Sequence, residues 1–157
     1  ADNMVVMALG QGRMVVSPLE MAVMAAAIVN DGNGPQPYLL EATRATDTAD
    51  WTTAVTLRPT LPYTTAATAR RLQDLMRATV ASGAALNAAR LGVDIGGHAT
   101  QAYSGDSAQA WFVGFATLPG KRGLAVAVVL EDSSDPGLAA DIGGRALEAA
   151  HSALNTE

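Results

Sequence analysis

The sequence contains no cysteine and a single lysine, Lys121, in 157 residues. The absence of cysteine excludes disulfide bonds, thiolate catalysis and cysteine-ligated zinc sites. Lysine and arginine together number 10 against 15 acidic residues, which gives a formal net charge of −5 at pH 7. Because nucleic-acid binding needs clustered cations to neutralise phosphates, this charge balance argues against nucleic acid as a partner.

Long hydrophobic runs are also missing. Apolar residues make up 49% of the chain and charged residues 16%, a composition too apolar for a disordered segment. The longest apolar stretches, at 21–29 and 124–130, are well short of the roughly 20 residues that a transmembrane helix requires. The sequence therefore predicts one globular domain over residues 1–157. Its first residues carry no targeting signal, and we expect the chain to begin at an interior cut of a longer protein.

In the first half of the chain, hydrophobic periodicity predicts two helices. Ser17-Pro18-Leu19-Glu20 has the residue order of a capped helix start, and Gly32 suits its C-terminal end. A second helix is expected over 65–81 and a helical turn near 86–90. Two short strands are predicted at 38–43 and 52–57. The first helix is expected to place these apolar residues in the core: Met21, Met24, Ala25, Ile28 and Val29.

The second half predicts three strands and a closing helix. The strands are expected at 93–101, 110–116 and 123–131, and short connections favour antiparallel neighbours. The last strand is apolar on both faces, which predicts cover on both sides. Pro136 precedes an amphipathic helix whose inward residues are expected to be Ile142, Leu147, Ala150 and Leu154. The fold class predicted is α+β, with helices packed on an antiparallel sheet.

Two short acidic segments invite a functional interpretation that their patterns do not support. Asp31-Gly32-Asn33-Gly34 lacks the alternating oxygen ligands and the closing glutamate of a calcium loop, so a plain turn is the better interpretation. Glu131-Asp132 and Asp135 could pair as acid and base, but they are more typical of a solvated loop after a strand. The sequence predicts no metal site and no cofactor.

Four segments, taken in order, resemble the C-terminal half of the penicillin-binding protein transpeptidase domain. Each is short and carries little weight alone, but their order and spacing match those of the family over nearly the whole chain. The segments are Gly10-Gln11-Gly12 with Val16-Ser17-Pro18-Leu19-Glu20-Met21-Ala22, Asn30-Asp31-Gly32 through Pro37, Leu75-Met76-Arg77-Ala78-Thr79-Val80 with Gly83-Ala84-Ala85, and Ala110-Trp111-Phe112-Val113-Gly114-Phe115-Ala116.

The resemblance implies the transpeptidase/β-lactamase-like fold and a role of the longer protein in peptidoglycan synthesis. It implies an extracytoplasmic setting at the cell envelope, with a membrane anchor upstream of Ala1. Peptidoglycan stem peptide or a β-lactam would be bound only by the full domain. The alternative is a non-catalytic module that binds a cell-wall or division protein through an exposed sheet edge.

The family's catalytic serine lies in an S-x-x-K motif, and a second motif, S-x-N, takes part in proton transfer. No serine in this sequence is followed three residues later by lysine, and no Ser-x-Asn occurs. Both motifs normally precede the Gly10-Gln11-Gly12 segment, so we expect them upstream of this chain. The resemblance therefore implies a chain that is inactive alone.

The family's third motif, K-T-G, is expected within the chain, on an edge strand that positions substrate. Ungapped alignment from Gly83 places it on this substrate-binding candidate: Gly97, His98, Ala99, Thr100 and Gln101. A one-residue shift would still leave K-T-G missing. Either His98 and Gln101 form an altered substrate edge, or the strand has lost its role and the parent is catalytically degenerate. The second interpretation is favoured, because the threonine hydroxyl is absent and Thr100 adds a β-branched side chain where a substrate backbone would pass.

Overall fold

The three predicted helices and the three long strands occur in the predicted order, and two short strands that were not predicted, at 33–34 and 61–62, are added. The computed structural model describes residues 15–54, 59–118, 120 and 123–155. In chain order the elements are α1 (Pro18–Val29), β1 (Asn33–Gly34), β2 (Ala42–Thr43), β3 (Thr52–Thr53), β4 (Leu61–Pro62), α2 (Ala66–Ser82), a 3-10 turn (Leu86–Ala88), β5 (Ile95–Ser104), β6 (Ser107–Thr117), β7 (Gly123–Leu130) and α3 (Pro136–Leu154).

Helix α1 begins and ends where the sequence predicts. The Ser17 backbone N–H donates to the Glu20 carboxylate at 2.7 Å, and the Glu20 N–H donates to the Ser17 hydroxyl at 3.2 Å, which is a capping box. These hydrogen bonds lower the pKa of Glu20, the one from the Ser17 backbone most. At the other end Gly32 has φ +91, and a Cβ there would lie 2.3 Å from the Thr64 carbonyl oxygen. Only glycine fits this position without moving the backbone.

The main sheet is antiparallel and has the order β5-β6-β7. Gly105, with φ +62, and Asp106 join β5 to β6 by a two-residue turn. Helices α1 and α2 lie on one face of the sheet and α3 on the other. The cover that the sequence predicts on both sides of β7 is therefore confirmed, as is the α+β class.

Strand lengths differ from the prediction in both halves of the chain. The strands predicted at 38–43 and 52–57 are wrong in extent, because only β2 and β3 pair, over two residues each, and 55–57 lie outside the described residues. β5 continues past 101 to Ser104, and Ser107 already belongs to β6. The tight turn allows pairing up to its last residues, so the hairpin is longer than hydrophobicity alone indicates.

The core lies between the sheet and α3. Phe112 is fully buried there, and a Cβ on Gly143 would lie 2.2 Å from its ring. A Cβ on Gly97 would lie 2.4 Å from the same ring, and one on Gly114 2.6 Å. Three glycines from three elements therefore leave the space that the phenylalanine fills. Trp111 and Phe112 are adjacent on β6, so their side chains lie on opposite faces of the sheet, and Phe112 is the one in this core.

Two predicted core positions are wrong. Leu154 is 50% exposed, since no residue of α3 beyond Leu147 is buried and the last turns of the helix extend past the core. Met24 is 40% exposed and lines an open groove. Hydrophobic periodicity identifies the apolar side of a helix but not whether another element covers that side.

Candidate substrate-binding edge

The predicted substrate-binding residues lie on β5, whose side chains alternate between the two faces of the sheet. Gly97 and Ala99 face α3, and Ala99 is buried with 4% exposed. His98 and Thr100 are exposed on the opposite face, in the groove beside α1 and α2. The Gln101 side chain is on the α3 side and donates to the Tyr103 hydroxyl at 3.0 Å. The structure therefore does not bring the His98 and Gln101 side chains together.

In the part of the chain that the structure describes, β5 is an edge strand whose outer backbone groups are partly covered. Ser104 and Ser107 flank the two-residue turn, and residues in that position exchange hydrogen bonds with each other. From Ser104 back along β5, every second residue forms backbone hydrogen bonds with β6. The residues between them direct their N–H and C=O groups away from β6. These outward residues are Gly97, Ala99, Gln101 and Tyr103.

Thr79, in the last turns of α2, contacts the outer edge of β5. Its hydroxyl lies within hydrogen-bonding reach of the Gly97 carbonyl and 2.9 Å from the Met76 carbonyl. The contact agrees with an outward Gly97 carbonyl and shows that α2 covers the edge at this residue. The sequence places Thr79 only within the second predicted helix, and no local pattern shows its long-range contact.

An ion pair at the start of β5 also holds the strand against α2. The Arg77 guanidinium donates to both carboxylate oxygens of Asp94, at 2.9 and 2.8 Å, and lies 5.5 Å from the centre of the Phe115 ring. The Thr117 hydroxyl donates to the same carboxylate at 2.7 Å. The hydrogen bonds from Arg77 are the main reason that the pKa of Asp94 is lowered. A bidentate pair of this kind fixes orientation as well as distance.

Replacing Asp94 with asparagine is expected to lower the free energy of unfolding at pH 7 by about 1 kcal/mol, because the pair is half exposed and solvent screens it. The folded-state pKa of Asp94 is lowered, so its stabilising effect is present above the unfolded pKa, near 3.9. The effect is lost as the pH falls through the folded pKa. The difference between wild type and Asp94→Asn should therefore shrink in acid, as measured by urea unfolding between pH 7 and pH 3. Asp106→Asn, in the exposed turn, is the control; an equal difference at all pH values would contradict the assignment.

A groove of about 1330 Å³ lies on the face of the sheet that carries His98 and Thr100. Among the described residues that line it, Glu131 is the only carboxylate, and there is no lysine or arginine. Its walls are mostly apolar and are formed by residues of the helices α1 and α2 and of the strands β5, β6 and β7. They include Met21, Met24, Ile28, Leu72, Leu75, Met76, Trp111, Val113 and Val129.

The described residues contain no serine–lysine pair that could act as nucleophile and base. Lys121 lies outside the described residues, as do Gly10-Gln11-Gly12. The Ser17 hydroxyl is engaged with Glu20 at 2.9 Å, and that of Ser107 with Asp132. Within the described ranges, no group of three or more histidine, aspartate or glutamate side chains is arranged to hold a metal ion. No helix there is long and apolar enough to cross a membrane.

The model of the penicillin binding protein transpeptidase domain family matches residues 3–150 of this chain. The chain belongs to the penicillin-binding protein transpeptidase family. The resemblance of the four sequence segments is thereby confirmed, and so is the fold that it implied.

Relatives within the transpeptidase family are considerably longer than this chain. The peptidoglycan D,D-transpeptidase PbpA of Mycolicibacterium smegmatis is 34% identical over 159 residues, which cover 90% of this chain and 30% of that protein. Penicillin-binding protein A of M. tuberculosis, solved as an imipenem acyl-enzyme, superposes with a TM-score of 0.77 at 33% identity and covers 90% of this chain. The D,D-transpeptidase domain of a peptidoglycan glycosyltransferase from Eggerthella lenta gives 0.72 at 28% identity. The chain spans 32% and 33% of those two solved chains.

Proposed function

We propose that this chain is the substrate-edge portion of a cell-envelope peptidoglycan transpeptidase domain whose catalytic site is degenerate. The observation that carries the proposal is the sequence His98-Ala99-Thr100 on β5, at the position where the family resemblance places K-T-G. The membership in the transpeptidase family supports a role of the longer protein in peptidoglycan synthesis, outside the cytoplasm and with a membrane anchor upstream.

The local geometry supports the loss of substrate binding at this strand. Ala99 offers no hydroxyl, and its side chain is buried against the α3 side rather than open to a ligand. Thr100 projects a branched side chain into the groove. A substrate carboxylate would meet no arginine or lysine among the described lining residues, so a carboxylate would lose its water without gaining a permanent cation.

Fluorescent penicillin tests the proposal directly. We expect neither residues 1–157 nor the longer protein to retain the dye on a denaturing gel, because the first lacks the nucleophile motif and the second has the altered β5. A penicillin-binding protein with intact motifs serves as the positive control, and circular dichroism shows that the unlabelled protein is folded. A stable adduct on the longer protein would contradict degeneracy and favour His98 and Gln101 as an altered substrate edge. An adduct on any serine of residues 1–157 would contradict the upstream nucleophile.

A second candidate function is a non-catalytic interaction module of the cell-wall or division machinery. The outward backbone groups of β5 after Gly97 favour it, since an uncovered edge strand can pair with a strand of another protein. The two functions differ in their ligands: the module binds an extended polypeptide and requires no stem peptide or β-lactam.

A further inference from the structure

We draw no further inference here: the strongest candidate, the β2–β3 hairpin on which the Arg44 guanidinium lies 5.0 Å from the centre of an exposed Trp51 ring, is an aromatic surface patch of a chain that spans about a third of its relatives, and nothing in the structure shows what covers it.

Discussion

Replacing Phe112 with alanine is expected to lower the free energy of unfolding by about 3–5 kcal/mol. The ring is fully buried between β6 and α3, and glycine backbones of three elements lie close against it. Backbone cannot move into the vacated volume as a flexible side chain could, so the cavity should persist and the cost should be near the upper end. Urea or guanidinium unfolding followed by circular dichroism measures the change.

Trp111→Ala is the matched control for Phe112→Ala. The two residues are adjacent on β6, but Trp111 faces the groove and is only partly buried. Its loss should cost less than about 2 kcal/mol. An equal cost for both substitutions would contradict the assignment of Phe112 to the core side of the sheet.

Restoring K-T-G on β5 is expected to increase penicillin labelling of the longer protein from background to a clear band. The change is the triple substitution His98→Lys, Ala99→Thr and Thr100→Gly, which returns the cation, the hydroxyl and the open backbone that the family motif provides. The protein must carry S-x-x-K and S-x-N upstream, which its sequence establishes before the experiment. Labelling is read on a denaturing gel after incubation with fluorescent penicillin.

Residues 1–157 with the same three substitutions are the control for this experiment and should stay unlabelled, because no S-x-x-K lies within them. Thermal unfolding shows whether the threonine at the buried position 99 is tolerated. A folded, restored protein that keeps both upstream motifs and still fails to react would show that β5 is not where activity was lost. Labelling of the unmodified longer protein would show that its activity was never lost.

The sequence predicts well those features that depend only on residues close together in the chain. The capping box at Ser17 and Glu20 and the end of the helix before Gly32 are predicted from residue types within a few positions, and both are confirmed. The three main strands are also predicted in order, because alternating and continuous apolar runs of this length favour a sheet covered by helices. Family resemblance adds a prediction that periodicity cannot make, namely which strand corresponds to a substrate edge.

The features that shape the candidate edge depend on contacts between distant parts of the chain. The contact of Thr79 with Gly97 and the pairing of Arg77 with Asp94 join α2 to β5, and neither has a signal in either segment alone. The exposure of Met24 depends on the open groove beside α1, which helical spacing does not reveal. The short pairing of β2 with β3 likewise follows from how the two segments meet rather than from their composition.

The close approach of the Phe112 ring gives a packing reason for glycine at position 97, directly before the residues aligned with K-T-G. A side chain at 97 would collide with a fully buried aromatic ring 2.4 Å away, so selection for a folded domain alone keeps glycine there. Chemistry can be lost from the three residues that follow while the preceding glycine remains. Across this family, glycine at this position therefore indicates that the fold is kept, not that the protein is active. Active and inactive members should carry it equally often.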